Sequence, residues 1–337
     1  MRATAIDINW HSDLPIFAYE PFLAAVGDEY GWLGGVDESG KLRCILPYTI
    51  VRKAMFRMVR FRIETILLDG ELDIEEERGF LNSAIEYFRN IKADTVIPAA
   101  TTTVFRTFPD GADVAPYGTY IVDLHEPENV LWRNVTKIYR QNISRAQRDG
   151  VCIRGGLENF DVAYALVRDT FRRSKQPFMN YDSFKRYVVG LGEYCKILVA
   201  YYKERAQGCT VYAFSNYCAY AVYGGSIEEV HQGAIKLVDW EAIRTFKQRG
   251  VQHLDFVGAR IDPDEGSKQE TINSYKRRLG GKLKKGYIWK YPLRPIKSIA
   301  YSTAIRLFRG GDIVDAERHK MRNIYTPETE EDLERGD

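Results

Sequence analysis

Nowhere in the 337-residue sequence does an apolar run approach the roughly 18–20 residues that cross a bilayer. The opening MRATAIDINWHSD carries acids where a signal peptide needs an uninterrupted apolar core, so the expected location is the cytoplasm. Cysteine is scarce: Cys44, Cys152, Cys195, Cys209 and Cys218 are odd in number, dispersed and mostly set in apolar, strand-like runs. That pattern argues against a disulfide framework and for buried thiols in a reducing compartment. There is no CxxC pair and no His-rich cluster, and the five histidines lie far apart in sequence, so no metal site is expected. GxSxG, HExxH and the P-loop are missing too, which removes the nucleophile-elbow hydrolases, zincin proteases and P-loop nucleotide hydrolases.

What is present suits a soluble globular protein: 45% hydrophobic, 13% aromatic and 28% charged residues. Two domains are expected, because single cores tend to split beyond about 250–300 residues. Net charge is only +2, yet it is poorly mixed: residues 52–62, 132–154 and 276–297 are basic, and the tail from Thr326, TPETEEDLERGD, is acidic. Segregated basic patches steer anionic partners whatever the total charge.

YGWLGGVDESGKLRCILPYTI predicts a hairpin turning at Asp37–Gly40, and KILVAYYKERAQGCTVYAFSNYCAYAVYGGS predicts a longer meander with a break near Lys203–Gly208. Each meander precedes a helix and then a strand, in FLNSAIEYFRNIKADTVIP and again in KLVDWEAIRTFKQRGVQHLDFVG, so the halves read as weak repeats of one unit. Pro and Gly cluster within Asp110–Pro127, which places units at 1–124 and 125–295 and a terminal helix and tail at 296–337. Asn129–Arg148 predicts a helix whose Val135, Tyr139, Ile143 and Ala146 face a core. Its other face, Arg133, Lys137, Arg140, Ser144 and Arg148, is either solvated or anion-binding, and it lacks the acids that solvated faces use for pairing.

Three stretches could carry chemistry. AVYGGS ends a strand in two glycines, either a tight turn or backbone N–H groups open to a carbonyl or phosphate oxygen. In HLDFVGARIDPDEGS, Asp255 lies inside an apolar run and Arg260 follows at the mouth of the expected sheet. SYKRRLGGKLKKGYIWKYP sets Gly280 and Gly281 among seven basic residues and no acid, a composition suited to phosphate. Tyr287, Trp289 and Tyr291 alternate along its second half, either as core or as a stacking surface. A Gln or Arg followed by closely spaced glycines opening a helix, the usual pyrophosphate loop of acetyl-CoA enzymes, is absent; EEVHQGAIKLVDW, the nearest stretch, has one glycine.

In this order, YRQNISRAQRDGV, YGGS, LVDWEAIRTFKQRG, HLDFVGA and INSYKRRLGGKL together resemble the Fem-type family of aminoacyl-tRNA-dependent peptidyltransferases and the broader acetyltransferase-like (GNAT) domains, over about residues 115–290. The resemblance implies an α/β (α+β) fold of two tandem GNAT-like domains, each a mixed, largely antiparallel sheet flanked by helices. It implies transfer of an aminoacyl or acyl group to an amine on a cell-envelope or peptidoglycan precursor, with no covalent enzyme intermediate. Lys276 stands where the family's Phe-Lys or Tyr-Lys before Gly-Gly places a lysine, next to Tyr275. Its expected role is the cation near the oxyanion or the donor phosphate. Arg277, Arg278, Lys282 and Tyr275 are then donor-binding, Arg140, Lys137 and Arg260 acceptor-binding, Tyr223 substrate-orienting, and Asp255 a base or orienter. The long charged helical hairpin of the family's tRNA-associated arm is not evident, which opens acyl-CoA as the donor in place of aminoacyl-tRNA. Neither would be a tightly bound cofactor, and no DNA partner is expected.

Two rivals stand beside this reading: an acyl-CoA-dependent N-acyltransferase acting on a sugar amine or other small molecule in polysaccharide synthesis, and a non-catalytic tRNA- or RNA-binding module. Salt separates them in part, because RNA binding weakens steeply with ionic strength. Finally, LRPIKSIAYSTAIRLFRGG has Ile296, Ala300, Ala304 and Leu307 at helical spacing with Lys297, Arg306 and Arg309 nearby. Such a helix either packs on the domain or lies peripherally, through 296–309, on the inner face of a membrane.

Overall fold

The computed structural model describes residues 1–68, 70, 72–309 and 311–318; the acidic stretch from Thr326 lies outside the described residues. The first half runs β1 (Arg2–Ile6), α1 (Glu20–Val26), β2 (Glu29–Val36), β3 (Leu42–Lys53), β4 (Phe56–Phe61), β5 (Ile66–Leu67), α2 (Ile74–Asn90), β6 (Thr95–Val96) and β7 (Asp113–Asp123). The second runs α3 (Glu128–Asn134), α4 (Lys137–Arg148), β8 (Cys152–Gly155), α5 (Phe160–Arg173), α6 (Tyr181–Leu191), β9 (Cys195–Tyr202), β10 (Arg205–Phe214), β11 (Cys218–Ser226), α7 (Ala234–Gln248), β12 (His253–Asp255), β13 (Ala259–Arg260), α8 (Lys268–Arg278), β14 (Lys282–Pro292) and α9 (Pro295–Arg309).

The same unit occurs twice. In the first half β2, β3 and β4 form an antiparallel meander, α2 crosses over, and β6 returns parallel to β4. In the second, β9, β10 and β11 form the meander, α7 crosses over, and β12 returns parallel to β11. Both are the repeat expected from sequence, a meander followed by a right-sized βαβ crossover. One sheet joins them in the order β1-β2-β3-β4-β6-β14-β7-β12-β11-β10-β9-β8. Strand β14 makes the junction, pairing with β7 through Lys282–Lys290 and with β6 through Tyr291 and Pro292.

Local chemistry accounts for the turns. Asp37 Oδ1 accepts from the Ser39 and Lys41 N–H groups and the Ser39 hydroxyl, closing the first hairpin at the expected place. Lys203 and Glu204, at φ 48 and 59, form the two-residue turn between β9 and β10. The predicted helix 129–148 is broken in two, because Val135 and Thr136 are extended and the Thr136 N–H donates to the Arg278 carbonyl. Its core stripe nonetheless holds: Val135, Tyr139, Ile143 and Ala146 are all buried.

Gly280 and Gly281 end α8. Gly281 N–H donates to the Lys276 carbonyl and Gly280, at φ +92, to that of Arg277, a Schellman cap. Gly225 serves packing: a Cβ there would stand 2.5 Å from the α5 backbone, while Gly224 and Gly225 pair with Thr210 and Cys209 in the ladder. Of the alternating aromatics of β14, Trp289 is buried against Phe61 and Phe105, while Tyr287 and Tyr291 are half-buried. Among the cysteines, Cys152 departs from the expected burial, because it opens the edge strand β8; the other four are buried free thiols.

The apolar core between the halves unites Ile16, Phe17, Phe22 and Leu23 of the first with Leu166, Phe184, Ile197 and Tyr220 of the second. Each such side chain contributes roughly 1.5–3 kcal/mol on burial, so these contacts hold the two halves as one body and shape the cleft between them.

Candidate functional site

That cleft has a volume of 740 Å³ and is lined by α1, β4, α5, α6 and β11. Arg60 and Arg62 stand two apart along the β4 direction, so they leave the strand on one face while buried Phe61 goes to the core. Arg62 donates to the Val26 carbonyl at 2.9 Å. Arg60 Nε is buried with no hydrogen-bond partner. Burial pushes both guanidinium pKa values down, Arg62 to about 9, and the neighbouring Arg60 charge adds to the shift on Arg62. Asp28 is the one carboxylate among the lining residues, and its Oδ2 already accepts the Arg52 N–H at 2.6 Å. Two desolvated cations whose one lining carboxylate is already engaged suit an anion.

The opposite wall is aromatic. Tyr223 from β11 sits edge-on to Phe178, Phe184 and Tyr187, and burial raises its phenol pKa while the two arginines oppose that rise. Tyr187 lines the cleft as well, buried, with its pKa driven well up by burial. Apolar surface beside paired cations suits a ligand with an anionic group and an uncharged body.

A second polar centre lies behind the cleft wall. Between the β12 pair Asp255↔Ile121 and the β13 pair Ala259↔Gly118, three residues oppose two on β7, so the chain bulges. Val257 and Gly258 both adopt positive φ, 41 and 57, an uncommon conformation for a β-branched residue. This turns both carbonyls toward Lys276 Nζ, which donates to each. Asp255 accepts from the Thr119 hydroxyl and, at 2.7 Å, from the Val257 N–H, holding the bulge from the other side. Burial raises the Asp255 pKa to about 6 and lowers that of Lys276 to about 8; the Asp255 charge opposes the shift on Lys276. A Cβ on Gly258 would lie 3.4 Å from the Thr101 Cβ, and Thr101 lines the cleft, so the bulge abuts the cleft wall.

Of the residues singled out in sequence, Tyr223 is in the cleft, and Asp255 and Lys276 hold the bulge behind it from its two sides. The others lie elsewhere. Tyr275 Oη donates to buried Asp239, which also accepts from Tyr212 and Thr210, tying α8 to α7 and β10. Arg277 is exposed on a separate 390 Å³ groove with Arg260 and Lys285, opposite Asp262, Glu265 and Glu270. Arg260 pairs with Glu317 at 3.2 Å. Arg278 lies over the Tyr139 ring, 5.9 Å from its centre, and Lys282 is exposed. Arg140 donates to the carbonyls of Trp132, Arg133 and Val135, closing the C-terminus of α3, and Lys137 is exposed.

Sequence reasoning missed Arg60, Arg62 and Tyr187. Its available signal was the alternation Arg60-Phe61-Arg62 in a strand-like run, which puts two cations on one face. It also missed the meeting of Asp123, His125 and His253, whose ligand atoms lie within 4.8 Å of one another because β7 pairs with β12.

Residues 133–277 match the family model for an acetyltransferase (GNAT) domain. In fold the chain is similar to FemX, with a TM-score of 0.64 and 12% identity over 88% of this chain and 95% of that one. It is also similar to a C-terminal domain (DUF2156) assigned as that of a lysylphosphatidylglycerol synthetase in Agrobacterium fabrum, with a TM-score of 0.51 and 12% identity over 87% and 92%. Comparison with curated protein sequences returned no match. The chain therefore has a Fem-like GNAT fold, with two copies of the meander–helix–strand unit and a GNAT acetyltransferase domain match in the second.

Proposed function

We propose that this protein transfers an acyl or aminoacyl group from an activated ester or thioester to the amine of an anionic acceptor held in the cleft. The observation that carries the reading is the pair Arg60 and Arg62, desolvated and without a facing carboxylate, opposite Tyr223 and Tyr187. The amine nitrogen attacks the donor carbonyl carbon to form the amide C–N bond, the C–O or C–S bond breaks with its electron pair on the departing oxygen or sulfur, and that leaving group takes up the proton the amine releases. No cysteine or serine nucleophile is needed, consistent with Cys44, Cys195 and Cys209 being held as thiols by burial, each near 12. Lys276, held from α8 by the Val257 and Gly258 carbonyls behind the cleft wall, supplies positive potential toward the cleft in which an oxyanion develops, and Asp255 positions the bulge that holds its Nζ. Juxtaposition of donor and amine supplies much of the remaining rate.

Likeness of fold to FemX and to a lysylphosphatidylglycerol synthetase domain makes envelope precursors the first acceptors to try. The longest helix among the described residues is α2, of 17 residues and packed on the sheet, which favours trying CoA thioesters beside charged tRNA as donors. The experiment measures transfer from each donor class to a panel of anionic amines, with wild type and with Arg60→Ala and Arg62→Ala. Each substitution is expected to raise the acceptor KM about 10- to 100-fold, as loss of a charge-assisted hydrogen bond does. Transfer that is indifferent to both substitutions would remove the cleft from the reaction.

A further inference from the structure

A helix on a protein surface normally shows solvent its polar side, and α9 does the reverse. Ile296, Ile299 and Leu307 are 87%, 66% and 78% exposed, and Ala300 and Thr303 between them are exposed too. Their spacing places them on one stripe. The opposite side meets the protein: buried Ser298 donates to the Asp94 carbonyl at 3.0 Å, and the Tyr301 ring lies 5.5 Å from that of Phe56. Thus, of the two arrangements open to this helix, packing on the domain or lying on a membrane, its Ile296, Ala300 and Leu307 stripe does not take the first: it faces away from the domain. Met55, 73% exposed at the tip of the β3–β4 hairpin, extends the apolar surface beside the helix, and its carbonyl accepts from Lys297 Nζ at 3.4 Å.

Cations border this surface. Lys297 lies toward the hairpin and Arg306 on the other flank of the helix, with Arg294, Arg52 and Lys53 nearby, and residues 294–307 include no acid. The carboxylates that reach them are few: Asp94 holds Lys297 at 3.0 Å and Arg294 at 3.7 Å, Glu29 holds Arg52 and Arg57, and Asp315 stands 3.8 Å from Arg306. Asp94 is itself buried, so the charge presented outward is positive.

We propose that α9 and the tip of the β3–β4 hairpin form a docking surface for an anionic lipid membrane. Ile296, Ile299, Leu307 and Met55 enter the boundary between headgroups and acyl chains, while the bordering cations meet headgroup phosphates. An apolar stripe with a cationic rim is how a short helix lies in the interfacial plane, and the rim sets the choice of a negative surface. Among the described residues no helix is long and apolar enough to cross a membrane, and the proposed contact is with the interfacial plane. The same hairpin carries Val51 and Arg60 of the cleft wall, so docking brings the cleft to the membrane surface.

Sedimentation of the full chain with vesicles tests this, using phosphatidylcholine alone and with about one quarter phosphatidylglycerol. Binding to the anionic vesicles is expected to exceed binding to neutral ones about tenfold or more and to fall with added salt. Ile296→Ser, Ile299→Ser and Leu307→Ser together should reduce it about tenfold or more. Because the three side chains are exposed, thermal unfolding of that variant should match wild type, which separates lost docking from lost folding. Absence of wild-type binding to the anionic vesicles, or undiminished binding by the triple variant, overturns the proposal. A wild-type dimer that the triple variant converts to monomer overturns it as well, since a second copy would then occupy the stripe.

Discussion

Asp255→Asn should stabilise the protein at neutral pH and leave it unchanged in acid. The native carboxyl is raised from 3.8 to about 6, first by burial, against the Thr119 and Val257 hydrogen bonds that favour ionisation. Two pKa units at about 1.4 kcal/mol each put the cost of ionising Asp255 in the fold near 3 kcal/mol. The sign follows from proton counting. Between pH 3.8 and 6 the native state keeps a proton that the unfolded chain has released, so this group's contribution falls as pH rises through that window. Asparagine keeps an oxygen for Thr119 and the Val257 N–H and cannot ionise. Part of the gain is offset, because Lys276 loses the charge that supports its own protonation. A net gain of about 1–2 kcal/mol at pH 7.5, and about none at pH 4, is expected. Urea midpoints at the two pH values measure it. A variant less stable at pH 7.5 would refute the reasoning, since attraction between Asp255 and Lys276 would then exceed the cost of burying the carboxylate.

Lys276→Ala should abolish transfer while the protein stays folded by circular dichroism; unchanged turnover would take Lys276 out of the mechanism. With the native lysine near 8, turnover that needs the cation should decline above that pH, and a kcat profile with no alkaline limb between pH 7 and 9 would contradict that role. Gly280→Ala should cost about 1 kcal/mol, read as a lowered Tm, because the position sits at φ +92 in the cap of α8. Tyr275→Phe should destabilise by about 1–2 kcal/mol in urea titration without changing donor affinity, since the hydroxyl is spent on buried Asp239.

Element type and repetition were legible along the chain because they depend on local rules. Alternating apolar residues, the Asp37–Gly40 turn, the 3/4 spacing of Val135, Tyr139, Ile143 and Ala146, and the order meander, helix, strand all appear in the fold. The glycine pair was visible too, but its meaning is a helix cap, and only the path of the chain after α8 distinguishes a cap from an anion loop. Arg140 looked unpaired because the break at Val135 and Thr136, which exposes the carbonyls it satisfies, is made by a contact with Arg278 far along the sequence.

What the sequence by itself determined is therefore the two α/β units and the buried stripes; that Asp255 and Lys276 hold one bulge from its two sides appears only in the fold. Tertiary structure decided which cations line the cleft. Arg60 and Arg62 line a cleft only because the first half packs on the second, with Asp28 the one carboxylate among the lining residues, while Lys284, in the most basic stretch of the chain, is neutralised at 3.0 Å by Glu64. Charge is written in the sequence, but its desolvation and its partners are set by packing between segments far apart in the chain.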